Sequence, residues 1–161
     1  MDTLAHGLFG AAIVAPKGSE KLMVAAGVAG MLPDLIVQGA VIVERGVSTG
    51  FKIMGGGGED FPANLLVLYR ATHSLFVPAF LWLVLPKKWR ILALPYLLHV
   101  LFDIFTHCGL FGTRIFFPLS DFHVCGINYA ASEWAWEINY GLLVGIYFLI
   151  YWKFYRPYLR R

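Results

Sequence analysis

The 161-residue chain is 58% hydrophobic and only 14% charged, with a mean hydropathy of +0.66. So few charges cannot clothe a water-soluble domain of this size, so a single domain with a lipid-facing surface is predicted. The net charge of +3 is small and clustered, which argues against a nucleic-acid partner and makes the basic residues topology signals.

Met1 and Asp2 lead straight into an apolar segment with no basic n-region, so no cleavable signal peptide is expected. The first apolar helix is predicted over Thr3 to Pro16, and the second from Leu22 to Leu32, stopping at Pro33-Asp34. Each spans about 17–21 Å at 1.5 Å per residue, short of a bilayer core of roughly 30 Å, so each is tilted, partial or re-entrant. A further helical stretch, Leu35 to Glu44, is expected outside the membrane or at its interface. Residues 46–63 read as a loop around the consecutive glycines Gly55 to Gly58, either a flexible connection or a lid. No Gly-Lys-Ser/Thr follows, so it is not a phosphate-binding P-loop.

One long helix is predicted from Asn64 to Leu85, ended by Pro86-Lys87-Lys88, and another from Ile91 to His107. An extracytoplasmic loop over 108–132 follows, and a last helix from Glu133 to Tyr155. Trp134, Trp136 and Tyr140 at one end of that helix, and Tyr151, Trp152 and Tyr155 at the other, form the aromatic belts of a spanning segment. The fold class expected is therefore all-α, an integral membrane bundle of about four to five helices. Lys17, Lys21, Lys87, Lys88, Arg90, Lys153, Arg156, Arg160 and Arg161 gather on one side. Arg45, Lys52, Arg70 and Arg114 lie on the other, offset by Glu44, Glu59 and Asp60. The positive-inside rule then puts the C-terminus in the cytoplasm and the N-terminus outside. Cys108 and Cys125 suit one disulfide if their loop faces an oxidising compartment, with free thiols at least as well favoured.

Ionisable groups inside a membrane are candidate functional residues. Here they are His6, Asp34, His73, His99, Asp103 and His107, and the predicted topology gathers them toward the outer side. In His99-x3-Asp103-x3-His107 the four-residue steps keep all three on one helix face, with the outer Cα atoms about 12 Å apart. That reach is too long for one ion, whose ligands stand at roughly 2.0–2.2 Å. Two divalent ions, one near His99 and one near His107 with Asp103 between them, satisfy the spacing. Each residue also has a plainer reading: a hydrogen-bonded packing histidine, or Asp34 as a helix cap. Glu133 and Glu137 suit a charged helix start, with Glu137 alternatively a metal ligand. Arg70, one turn before His73, suits a phosphate or a lipid headgroup. His123 reads as an ordinary loop residue.

Met-Asp-x3-His-Gly, Leu32-Pro33-Asp34, Arg70-Ala71-Thr72-His73-Ser74, His99-x3-Asp103 and Phe117-Pro118-Leu119-Ser120 together resemble the YdjM-like family of inner-membrane, metal-dependent hydrolases. That family is distantly similar to the zinc phospholipase C and single-strand nuclease superfamily. The resemblance implies two or three zinc ions held by His6, Asp34, His73, His99, Asp103 and His107. The superfamily's N-terminal Trp ligand is absent here, and Glu133-x3-Glu137 stands nearest to its later His-x3-Glu element. The expected function is hydrolysis of a phosphoester, lipid-like by location, with Asp34, Asp103 and Arg70 as the catalytic set and membrane lipids as partners. The alternatives are a non-catalytic metal-binding membrane protein, acting as sensor or regulatory partner, and a structural membrane protein with hydrogen-bonded histidines.

Overall fold

The computed structural model describes residues 1–17, 19–47 and 61–157, and among these residues there are helices and turns but no strand. Helix α1 (Thr3–Val14) starts on Asp2, whose carboxylate accepts the Ala5 N–H at 2.9 Å. After a 3₁₀ turn at Ala15–Lys17, Ser19 caps α2 (Glu20–Arg45) by accepting the Leu22 N–H. The expected break at Pro33-Asp34 does not occur: α2 runs through it for 26 residues, and Leu35 to Glu44 is its second half. A helical proline leaves one carbonyl without its N–H partner and strains the preceding turn, so other contacts must hold the helix together. Pro33 is buried, and in the turn before it the Gly30 carbonyl accepts from His99 Nδ1 at 2.7 Å. Asp34 therefore lies near the middle of a helix about 39 Å long, not at its end. Gly46, at φ +76°, ends α2 with a conformation that favours glycine.

The helix predicted as one from Asn64 to Leu85 is two, α3 (Ala63–Thr72) and α4 (Phe76–Val84), bent by 54°. Pro78 has no N–H to return to the Ser74 carbonyl, and the residues at the bend find partners elsewhere. The Ser74 hydroxyl donates to the Phe117 carbonyl at 2.9 Å, and the Leu75 N–H donates to the Ile115 carbonyl at 2.9 Å. Tyr96 donates to the Thr72 carbonyl at 2.7 Å. A short turn at Arg90–Leu92 leads into α5 (Ala93–Thr106), with His107 immediately after it. Helix α6 (Glu133–Ile150) continues as a π-helical turn through Tyr151–Tyr155.

Helix α1 lies along α2, and α5 packs against both. The approach is close because small residues line it: a Cβ on Gly30 would stand 2.6 Å from the His6 carbonyl oxygen, and one on Gly10 would stand 2.7 Å from that of Ala26. Ala5 and Phe9 join Tyr129, Ala135 and Leu143 in one apolar cluster, while Val37, Val41, Leu65 and Tyr69 form another. Outside these, large apolar side chains such as Phe80, Leu83, Val144 and Leu149 are exposed. By length and composition α2 can cross a membrane alone, and α3 with α4 can do so as one bent span. In the loop after α5, Cys108 and Cys125 are disulfide-bonded, which decides between the two readings of this pair. Beside that bond, Gly126 N–H donates to the His107 carbonyl and Ile127 N–H to that of Phe105, each at 2.9 Å. The glycine run at 55–58, with the lid reading attached to it, lies outside the described residues.

Candidate metal centre

Three segments bring four side chains to one point. Asp34 comes from the middle of α2, His73 from the bend between α3 and α4, and His99 and Asp103 from successive turns of α5. One donor atom from each lies within 4.8 Å of all the others. His73 Nε2 stands 3.1 Å from His99 Nε2 and 3.4 Å from Asp34 Oδ1. Asp103 Oδ2 stands 3.2 Å from His99 Nε2 and 3.5 Å from His73 Nε2, and Asp34 Oδ1 is 3.7 Å from His99 Nε2. A tetrahedral ion with bonds of about 2.1 Å has ligand–ligand edges of about 3.4 Å, so these spacings bracket what a zinc-sized ion requires.

The tautomers agree with that reading. His99 Nδ1 is 2.7 Å from the Gly30 carbonyl, and His73 Nδ1 is 2.9 Å from that of Tyr69, so each ring donates its Nδ1 proton to the backbone. Both Nε2 lone pairs then point at each other and at two carboxylate oxygens. A divalent cation placed between these atoms would satisfy the nitrogens and the carboxylate oxygens together. Carbonyl partners on the far nitrogen are the usual outer support of metal-binding histidines. Asp103 Oδ2 is buried with no hydrogen-bond partner among the described residues, as a carboxylate oxygen kept for an ion would be. The ring of Tyr69 stacks on His73 at 4.0 Å and the ring of His6 on His99 at 3.6 Å, holding both ligand planes.

The other oxygen of Asp103 serves a second group. Oδ1 is 3.0 Å from His6 Nε2, 3.1 Å from His107 Nδ1 and 3.0 Å from the Met1 amino nitrogen. That amino group also donates to Thr106 Oγ1 at 2.6 Å. The structure thus gathers all six predicted histidines and aspartates, with Asp34, His73 and His99 on the Oδ2 side of Asp103 and His6 and His107 on Oδ1. Accessibility is uneven: the side chains of His6, His73, His99 and Asp103 are 0–1% exposed, Asp34 18% and His107 26%. The partly exposed side of the cluster is therefore at Asp34 and His107.

Glu137 is not brought to the cluster. Helix α6 turns Ala135, Asn139 and Leu143 inward, which leaves Glu137 on the exposed face with Glu133. His123 is exposed in the loop, its Nδ1 3.0 Å from the Asp121 carbonyl. Arg70 stays beside the bend, its Nε buried without a hydrogen-bond partner among the described residues.

Several contributors are not legible as site residues in the sequence. Thr3 donates to Asp34 Oδ2 at 2.8 Å, and Gln38 donates to Thr3 Oγ1 at 2.8 Å. Asp2 accepts from Tyr140 at 3.0 Å and Tyr129 at 2.9 Å, and Asn139 donates to the Tyr129 oxygen at 3.0 Å. Burial first, and the Asp2 carboxylate second, raise the Tyr129 phenol above its usual range, so it remains a donor to Asp2. This network ties the segment carrying His6 to α6. A signal did exist, since Gln38 stands four residues after Asp34 on one helix face.

Comparison with known proteins finds no family model, no curated relative and no solved structure that matches this chain.

Proposed function

We propose that the protein is a membrane-bound, metal-dependent hydrolase of a phosphoester, with a multinuclear zinc-type site built around Asp103. The observation that carries this reading is the buried set of Asp34, His73, His99 and Asp103, whose donor atoms face one another at the spacing of a tetrahedral ion. His6 and His107, beside the second oxygen of Asp103, are the residues that would hold another ion. A divalent ion in such a site supplies Lewis acidity and acidifies water toward neutral pH. The chain's own groups supply the rest. Asp34 is the most exposed of the four, at 18%, so it stands on the side where a substrate would meet the site. Arg70 carries a buried guanidinium nitrogen with a vacant donor, suited to a phosphoryl oxygen.

A membrane location is supported by the length and apolarity of α2, by the bent α3–α4 pair, and by exposed apolar side chains on α4 and α6. Several further crossings, an extracytoplasmic site and a cytoplasmic C-terminus complete the proposal. The disulfide supports that sidedness, because such bonds persist in oxidising compartments. A lipid-like substrate follows from the location, and the motif resemblance to the YdjM-like hydrolases points the same way.

A second reading has an observation of its own. Four protein ligands complete a tetrahedral shell, and closed four-ligand sites are characteristic of structural zinc. A non-catalytic sensor or regulatory partner would keep its ion and turn nothing over. The deciding experiment measures metal content and hydrolysis of bis(4-nitrophenyl) phosphate for detergent-purified wild type and Asp103→Asn. Near-stoichiometric metal with turnover, both lost in the variant, supports the hydrolase. Metal without turnover on any ester tested supports the second reading. A fully folded wild type that takes up no divalent ion overturns both.

A further inference from the structure

One polar contact of the cluster remains without an explanation, on the partly exposed side at Asp34. Asp34 has two carboxylate oxygens. Oδ1 faces His73 Nε2 at 3.4 Å and His99 Nε2 at 3.7 Å. Oδ2 turns away and accepts the Thr3 hydroxyl at 2.8 Å, and that hydroxyl in turn accepts from Gln38 Nε2 at 2.8 Å.

We propose that Thr3 and Gln38 are positioning residues that hold Asp34 as a one-oxygen metal ligand. The inference rests on the metal reading of the cluster, not on catalysis. Its logic is a count of protons. A hydroxyl has one hydrogen to give, and an ionised carboxylate only accepts. With Asp34 as the acceptor, the Thr3 proton must point to Oδ2. Gln38 must then present its amide N–H, because its carbonyl oxygen would compete for that same proton. The direction of the chain Gln38→Thr3→Asp34 is therefore set by chemistry.

The architecture makes this relay a joint property of two helices. Thr3 belongs to the first turn of α1, and Asp34 and Gln38 to consecutive turns of α2. Asp34 is the only member of the four-ligand set whose side chain has appreciable exposure, 18%, so it has the least packing to hold its rotamer. The hydrogen bonds do that work instead. With Oδ2 engaged by Thr3, Oδ1 is the oxygen left to face an ion.

Removing outer-shell partners of metal ligands typically weakens metal affinity by about 10–100-fold. The test titrates Co²⁺ into metal-stripped wild type, Thr3→Val, Thr3→Ser and Gln38→Leu, reading affinity by competition with a chelator and ligand geometry by the visible cobalt spectrum. Thr3→Val keeps the shape and removes the hydroxyl, so the tightest site should weaken about 10–100-fold with an altered spectrum. Thr3→Ser should restore both, and Gln38→Leu should fall between. Wild-type affinity and spectrum in both Thr3→Val and Gln38→Leu overturn the positioning role while leaving the metal reading intact. A wild type that binds no Co²⁺ overturns the metal reading itself, and the positioning role with it. Gln38→Leu is a half-buried change away from the ligands, so it keeps the test decisive if Thr3→Val fails to fold.

Discussion

Asp103 is fully buried and turns its two oxygens to different neighbours, so substitutions around it should separate. His99→Ala removes a corner of the four-ligand set and its Gly30 contact, while His107→Ala touches only the group on Oδ1. Elemental analysis should therefore find the tightest ion lost in His99→Ala, with an affinity loss exceeding the roughly 10–100-fold of outer-shell changes, and retained in His107→Ala. Equal loss in both would mean that the two oxygens do not serve separate positions. Glu137→Ala should leave metal content at the wild-type value, because the side chain faces outward. The four-residue steps of His99, Asp103 and His107 made the division of Asp103 legible, since helical spacing sets which side chains share a face. The inward face of α6 was not legible. That helix is apolar nearly all round, so periodicity could not tell Glu137 from Asn139. Gln38 shares a helix face with Asp34, but hydrogen-bonding side chains are common, and only tertiary structure shows that Thr3 joins the two.

At the scale of elements, the two misjudged boundaries have one origin. Proline weighs on a helix locally, but neighbouring segments decide whether the helix ends. At Pro33 the packing of α1 and α5 holds α2 straight through, whereas at Pro78 the loop at 115–117 takes up Ser74 and Leu75 and the helix bends. The bend is what delivers His73 to the cluster, so a continuous helix over 64–85 would have carried that ring elsewhere. The α1–α2 contact gives a prediction with opposite signs at two glycines of one helix. A Cβ at Gly30 meets the His6 carbonyl at 2.6 Å, while Gly39 has nothing within 4 Å. Gly30→Ala must push α1 away or distort it, a destabilisation of about 1–3 kcal/mol, and it should also weaken metal binding because His6 and the His99 partner move. Gly39→Ala relieves glycine's helix penalty and should stabilise by up to about 1 kcal/mol. Thermal unfolding in one detergent checks both, and a destabilised Gly39→Ala would show that the open space there is filled by something else.

For the molecule as a whole, topology and the disulfide lead to a single prediction. Lys21 opens α2, Lys87, Lys88 and Arg90 sit between α4 and α5, and Lys153 and Arg156 follow α6. Tyr155 donates to the Met23 sulfur at 3.4 Å, which puts the end of α6 beside the start of α2. Lys153 and Arg156 thus lie at the same end as Lys21. At the opposite end of α5 the disulfide closes the loop beside His107, and the backbone bonds from Gly126 and Ile127 clamp residues 105 and 107. If that end faces an oxidising compartment, a membrane-impermeant maleimide applied from outside after reduction should label Cys108 and Cys125. A fluorescent reporter on the C-terminus should remain out of reach of external protease. Labelling only after the membrane is lysed would reverse the orientation. The same bond makes a quantitative demand. Cross-linking two positions 17 residues apart restricts the unfolded chain by about 3 kcal/mol, so Cys108→Ser with Cys125→Ser should lower stability by that order. The loss should fall unevenly on the site. His107 depends on the strap for its backbone position, whereas Asp34, His73 and His99 are fixed by α2, the α3–α4 bend and α5. Metal held by the four-ligand set should therefore survive reduction, while binding that needs His107 should weaken, and chelator competition before and after reduction measures the difference. Equal weakening would mean that the strap supports the whole bundle and not this one ligand.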